Sequence, residues 1–233
     1  MKRLLGATAL VLLVACGQPQ RAPLGDKPSE PAAATPTTPT AGSGALDLSC
    51  AAFANATGAS LEQRFGAANV TQQAIPGAEG SEAQGTVLFA NDPVRRVEVI
   101  WNDNAGRTRP ASITFTGTEG QRSQWTGPGG LSLGESLADV ERANGGPFML
   151  YGFEWDYGGI VTSWRGGAFA PQGNCTVHVA FRPGGDAGAA AGDAAFRSDS
   201  AAMQGAHAYV AEVGISFVGD SASPSSGDGG KKN

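Results

Sequence analysis

Alternation of apolar and polar residues predicts several β-strands in this chain. Within residues 94–101, Val97, Val99 and Trp101 fall on one side and charged side chains on the other. That period-two pattern is typical of a half-buried strand. Similar patterns predict strands over residues 85–90, 112–116, 174–181 and 206–217. In the strand over residues 174–181, His178 alternates with three apolar neighbours, so we expect it to be exposed or half-exposed.

Helix signals come before each group of strands. Residues 48–55 have helical composition, and Ser60-Leu61-Glu62-Gln63 fits a capping box. A second start at Ser136 is followed by apolar positions at the spacing of a helix face, and Asn144-Gly145-Gly146-Pro147 ends that helix. Helices that precede runs of strands predict an α+β fold, with short helices packed on an antiparallel sheet. Two α-plus-β-meander units would fit this order.

Residues 148–164 predict an aromatic hairpin. A strand over 148–157 would turn at Gly158-Gly159 and return over 160–164. One face would then carry six large side chains, namely Tyr151, Phe153, Trp155, Tyr157, Ile160 and Trp164. The preferred interpretation is that this face packs beneath the helices. The alternative is a platform that binds a peptide, a glycan ring or a partner protein, with Tyr151, Trp155, Tyr157 and Trp164 as its candidate residues.

Glu154 and Asp156 would share the opposite face of that strand, about 7 Å apart. Glycosidases need two carboxylates about 5–9 Å apart, so this pair is a candidate acid and base. The preferred interpretation is a solvated polar face, with Arg165 close enough to neutralise Glu154.

The two ends of the chain differ in composition from its middle. Lys2 and Arg3 precede an apolar run over residues 4–14, which is typical of a secretory signal over residues 1–15. The run is too short to span a bilayer, which needs about 20 apolar residues. Residues 16–45 are rich in Pro, Ala and Thr, and residues 219–233 are polar, so we expect both segments to be disordered. The folded domain is expected over residues 46–218.

Leu13-Val14-Ala15-Cys16 resembles the lipobox of bacterial lipoproteins. That resemblance implies that Cys16 carries lipid, becomes the first mature residue and anchors the chain to a membrane. Gly17 follows it, and the resemblance then implies the outer membrane, with the domain facing the periplasm. Two cysteines remain, Cys50 and Cys175. An exported chain lies in an oxidising compartment, so we expect a disulfide between them rather than two buried free thiols.

The charge and the motifs of the chain argue against several classes of ligand. The net charge is −5, with no basic run that would bind nucleic acid. His178 and His207 lack partners at metal-ligand spacing, and no motif indicates a cofactor.

Gly134-x-Ser136-Leu137-x-x-Val140, followed by Gly146-Pro147, resembles the helix-start motif of small outer-membrane assembly lipoproteins of the SmpA/BamE type. It is also similar to β-lactamase inhibitory proteins, which are tandem helix-plus-sheet units, and residues 152–157 resemble a family of uncharacterised exported bacterial proteins. The first two resemblances imply binding rather than catalysis, and the third implies no known activity. We therefore expect a lipid-anchored envelope protein that binds another envelope component, a protein or a glycan. The alternative is a hydrolase acting on an envelope polymer, with Glu154 or Asp156 as acid or base.

Overall fold

The structure, a computed structural model, describes residues 46–218. Its α-helices are α1 (Cys50–Phe53), α2 (Gly58–Phe65), α3 (Leu137–Asn144) and α4 (Ala201–Gly205). Its strands are β1 (Leu46–Asp47), β2 (Val70–Pro76), β3 (Glu82–Leu88), β4 (Val97–Trp101), β5 (Pro110–Thr116), β6 (Trp125–Thr126), β7 (Met149–Tyr151), β8 (Val161–Ser163), β9 (Cys175–Arg182), β10 (Ala195–Arg197) and β11 (Tyr209–Phe217). The proposed lipobox at residues 13–16, the linker over 16–45 and the tail over 219–233 lie outside the described residues.

Six antiparallel strands form the main sheet, in the order β2-β3-β4-β5-β11-β9. The first four follow one another along the chain as a meander. The last strand, β11, lies between β5 and β9, so Gly214 has Thr114 on one side and His178 on the other. The expected α+β class with antiparallel sheet is confirmed, and the sheet dominates the fold. The sequence pattern missed β2, whose residues do not alternate regularly between buried and exposed.

Two smaller sheets complete the strand pairing. β10, β7 and β8 form an antiparallel three-stranded sheet, and β1 pairs with β6 in parallel. The α-helices are short, with α2 and α3 the longest at 8 residues each. No helix within residues 46–218 has both the length and the apolar character needed to cross a bilayer.

One face of the main sheet forms the floor of the hydrophobic core. Alternate positions on its central strands are almost fully buried, including Val97, Val99, Ile113, Phe115, Val213 and Ile215. The indole of Trp125 lies over this floor, with its ring centroid 6.1 Å from that of Phe53 and 5.8 Å from that of Phe65. Complete burial of one such side chain contributes about 1.5–3 kcal/mol, so this single cluster stabilises much of the domain.

The opposite face of the main sheet is largely polar across β4, β5, β11 and β9, whereas β3 places the buried Val87 on it. Because side chains alternate along a strand, the positions between the core residues point the other way. These positions are half-buried and carry Glu98, Thr114, His178, Glu212 and Ser216. Their hydroxyl, carboxyl and imidazole groups therefore lie together on one side of the sheet.

Side-chain caps define where the two longer helices start. Ser136 caps α3 as expected: its hydroxyl accepts from the Asp139 N–H, and the Asp139 carboxylate accepts from the Ser136 N–H. α2 starts earlier than expected, because the capping box pairs Thr57 with Ser60 rather than Ser60 with Gln63. Thr57 holds the extended backbone that an N-cap needs, whereas Ser60 already lies within the helix.

A disulfide joins Cys50 to Cys175, as expected, and so links α1 to the start of β9. The two residues are 125 positions apart in sequence, with their Cα atoms 6.1 Å apart. The bond therefore connects the beginning of the domain to a strand at the edge of the main sheet.

Candidate functional site

The segment between β7 and β8 is a loop rather than the expected tight hairpin. β7 ends at Tyr151 and β8 begins at Val161, and Leu150 pairs directly with Val161. The strand predicted over 160–164 is confirmed as β8, and the one predicted over 148–157 is confirmed only in its first part, as β7. Its continuation over 152–157 and the two-residue turn at Gly158-Gly159 are wrong. Residues 152–160 instead leave the sheet and form a loop.

Contacts with a later part of the chain hold this loop. The Phe153 N–H donates to the Ala190 carbonyl at 2.9 Å, and the Gly192 N–H donates to the Phe153 carbonyl at 2.9 Å. Gly152 lies so close to the second segment that a Cβ atom there would meet the carbonyl oxygen of Gly192. Glu154 has a φ of 67°, which takes the backbone out of the extended conformation. These tertiary contacts override the local alternation.

The loop divides the six predicted face residues between core and surface. Phe153 and Trp164 are 1% and 5% exposed, and Trp164 packs against Phe148 and Phe169 with ring centroids 5.3 and 5.0 Å away. Trp164, expected as a candidate binding residue, therefore belongs to the core. The preferred core interpretation holds for these two aromatic residues.

Tyr151, Trp155 and Tyr157 form what we call the aromatic cluster. Trp155 lies between the two tyrosines, with ring centroids 5.1 Å from Tyr151 and 5.3 Å from Tyr157 and both pairs edge to face. Its indole N–H donates to the Gly152 carbonyl at 3.1 Å, which fixes the ring against the loop. Tyr151 and Trp155 are half-buried and Tyr157 is 40% exposed. The cluster is thus held in place and open to solvent.

Glu154 and Asp156 are exposed on the same loop, beside the rings. Their predicted placement on one strand face is wrong, because the segment is not a strand and Glu154 has a left-handed backbone. Neither carboxylate forms an ion pair with another residue of the described range. They add negative charge next to the aromatic cluster.

A second polar pair lies on the polar face of the main sheet and was missed by the sequence reasoning. The Nε2 atom of His178 and the hydroxyl of Ser216 are hydrogen-bonded at 2.5 Å. His178 is half-buried, as expected, and burial lowers the pKa of its imidazole. The two residues are 38 positions apart, and only the pairing of β9 with β11 brings them together. Nothing in the sequence near either residue indicates this contact.

No cluster of three or more His, Cys, Asp or Glu side chains suited to a metal ion occurs in the part of the chain that the structure describes. His207 is exposed and precedes β11, and His178 contacts Ser216 rather than an acidic residue. Comparison of the chain with protein-family models, with curated proteins and with solved structures finds no match.

Proposed function

We propose that this chain is a lipid-anchored cell-envelope protein whose α+β domain binds another envelope component and catalyses no reaction. The observation that carries the proposal is the aromatic cluster. Three neighbouring rings, one at the end of β7 and two on the loop that follows, offer apolar area, and aromatic side chains are enriched where proteins bind partners. The lipobox resemblance at Cys16 supplies the anchor, and residues 16–45 supply a tether long enough for the domain to reach its partner.

The charges beside the aromatic cluster favour a partner segment that carries Lys or Arg. Aromatic faces attract ammonium and guanidinium groups, and Glu154 and Asp156 would pair with the same cations at the edge of the contact. The net charge of −5 adds a long-range attraction for positively charged partners. A glycan ring stacked on Trp155 is the competing partner class.

The strand pairing supports the proposal that the domain consists of two α-plus-β-meander units. The first unit is α2 with β2-β3-β4-β5. The second is α3 with β7-β8-β9-β11, in which an isolated bridge between Ile160 and Ala180 connects the ends of β8 and β9. The final strands of the two units, β5 and β11, pair with each other in antiparallel fashion.

Capture from solubilised envelopes tests the binding proposal. Wild-type protein should retain a partner with basic segments after crosslinking, and a double variant, Trp155→Ala with Tyr157→Ala, should lose it. Val218→Ala is the matched control, because it also removes an exposed apolar side chain, one that is 63% exposed. The proposal is wrong if the double variant captures as much partner as the wild type, or if purified protein hydrolyses a cell-wall substrate. Retention of glycan fragments in place of protein would reassign the partner class.

Membrane fractionation tests the anchor and the location. Cys16→Ser should release the protein from membranes or block removal of residues 1–15, and the wild type should separate with outer-membrane markers. A Cys16→Ser protein that matures normally and stays in the membrane fraction would contradict lipidation. Wild-type protein in the inner-membrane fraction would contradict only the location.

The alternative, a hydrolase acting on an envelope polymer, is favoured by one observation, the hydrogen bond between Ser216 and His178. Because burial lowers the pKa of His178, the imidazole is neutral near pH 7 and can accept the Ser216 proton. However, β11 is paired on both sides, so its backbone N–H groups are bonded and are not free to stabilise an oxyanion. Reaction with a fluorophosphonate probe distinguishes the two functions. If the wild type is labelled and the Ser216→Ala variant is not, hydrolysis is favoured. If the wild type is not labelled, binding is favoured.

A further inference from the structure

A groove crosses one end of the polar face of the main sheet. It has a volume of about 420 Å³ and is lined by residues of β5, β9 and β11 and of the segments that flank β4 and β5. Its charged and hydrogen-bonding lining residues are Arg96, Thr116, Thr118, Gln121, Arg182 and Glu212. It is separate from the aromatic cluster, none of whose residues lines it, and the site goes beyond the function proposed above.

Glu212 lies on the floor of the groove. Its position on β11 is between Thr116 of β5 and Ala180 of β9, so it is surrounded by sheet on both sides. Within residues 46–218 its carboxyl group has neither a hydrogen bond nor an ion pair. The carboxyl oxygens still reach water, but their partial burial without a protein partner costs part of their hydration. Such a group is expected where a ligand supplies the missing partner.

The titratable and charged groups near Glu212 lie on two strands, β4 and β9. Burial is the main cause that raises the pKa of Glu212, the charge of Glu98 raises it further, and Arg182 opposes both effects. His178 lies on the same face, two positions before Ala180 on β9, and burial lowers the pKa of its imidazole. The carboxyl group therefore takes up a proton more readily than an ordinary glutamate and then becomes a hydrogen-bond donor.

The two arginines of the groove are not equivalent. The Arg96 guanidinium is 2.7 Å from the Glu98 carboxylate, which offsets its charge. Arg182 is exposed at the end of β9 and forms no ion pair with any other residue that the structure describes. The groove thus holds an arginine and a carboxyl group that attract each other without forming a direct ion pair.

A carboxylate satisfies both groups at once. The planar guanidinium fork of Arg182 matches the two oxygens of a carboxylate, and one of these oxygens can accept the proton of a neutral Glu212. The Thr116 hydroxyl, which is exposed at the same place, offers a further donor. An amine would fit Glu212 but would have to approach Arg182, whose charge repels it. We propose that this groove is a binding site for a carboxylate-bearing ligand, held by Arg182 and sharing a proton with Glu212.

Calorimetric titration of the detergent-solubilised full chain tests the proposal. The probes are succinate, as a free acid, and N-acetyl-alanyl-alanine, as a peptide carboxylate, and the C-terminal amide of the same dipeptide is the neutral control. At about pH 5 at least one carboxylate probe should bind and the amide should not. Because binding takes up one proton, the dissociation constant should rise up to tenfold per pH unit above the pKa of Glu212. Tighter binding of one probe identifies the source of the carboxylate.

Three variants separate the proposed roles. Glu212→Gln keeps a hydrogen-bond donor without titrating, so it should bind the same probe with little change between about pH 5 and about pH 8. Arg182→Gln should weaken binding at least tenfold at both pH values. Glu119→Gln, on the exposed loop after β5, is the matched control and should behave as the wild type. The proposal is overturned if neither carboxylate probe binds, if the amide binds equally well, or if Glu212→Gln abolishes binding at the lower pH.

Discussion

Removal of the disulfide is the sharpest test of how this domain is stabilised. Replacement of both Cys50 and Cys175 by Ala frees the unfolded chain from a crosslink between residues 125 positions apart. The chain-entropy relation gives an upper value of about 5 kcal/mol for a loop of that length at 25 °C. Measured losses for native disulfides are about 2–5 kcal/mol, so we expect a loss of about 3–5 kcal/mol. Cys175 is buried, and the loss of its sulfur atom adds to the effect.

Urea denaturation followed by tryptophan fluorescence measures this loss, because Trp125 is fully buried in the core. All samples carry Cys16→Ser, so that no other thiol can exchange with the bond. With a slope of about 2 kcal/mol per molar urea, the midpoint should fall by about 1.5–2.5 M. A reducing agent should shift the midpoint of the disulfide-containing protein by a similar amount and leave the double alanine variant unchanged. A midpoint shift below about 0.5 M would refute the crosslink as a major source of stability.

Three further substitutions test individual contacts by the same denaturation assay. Trp101→Phe should cost about 1–3 kcal/mol, because it leaves the buried Thr86 hydroxyl without the indole N–H that lies 2.9 Å away; no measurable loss would contradict this. Gly159→Ala should lower the free energy of unfolding by at least about 1 kcal/mol more than Gly166→Ala does. Both glycines have φ near +78°, but only at Gly159 would an added Cβ meet a carbonyl of β9. Equal losses would be inconsistent with that contact. Asn144→Ala should cost about 2–4 kcal/mol, because its buried amide makes three hydrogen bonds, and a loss below about 1 kcal/mol would show that water replaces them.

Much of the main sheet could be predicted because its strands bury one face. In β4, β5 and β9 the apolar residues recur at every second position, and this pattern carries the information on its own. The start and the end of α3 could also be predicted from the sequence. Ser136 supplies the cap, and Gly145 takes the left-handed conformation, with a φ of 83°, that ends the helix.

The loop after β7 could not be predicted, because its conformation depends on residues about 40 positions later in the chain. Phe153, Trp155 and Tyr157 alternate with charged residues as a strand would, and no local signal contradicts this pattern. Backbone hydrogen bonds from Gly152 and Phe153 to residues 190–194 hold the loop away from β8. Two of the three rings of the aromatic cluster lie on this loop, so the cluster became visible only with the tertiary structure.

The groove at Glu212 escaped prediction for a different reason. Its residues are ordinary polar positions on strands, and each is consistent with a solvated sheet face. Arg182, Glu212 and Thr116 come together because β11 enters the sheet between β5 and β9. Strand order of this kind depends on contacts across the whole domain, which the residues of one strand do not specify.

The link between Cys50 and β9 also has a mechanical consequence. A force that pulls on the chain before Leu46 would act first on the pairing of β1 with β6. That pairing has only two residues on each strand, so we expect it to separate first. Four residues after Leu46, the disulfide of Cys50 would then carry the force. Tension would then pass into β9, which is held along its length by eight paired positions with β11. The domain should therefore withstand drag on its N-terminal side while exposing only a few residues, and single-molecule stretching should show a short first extension that reduction of the bond lengthens.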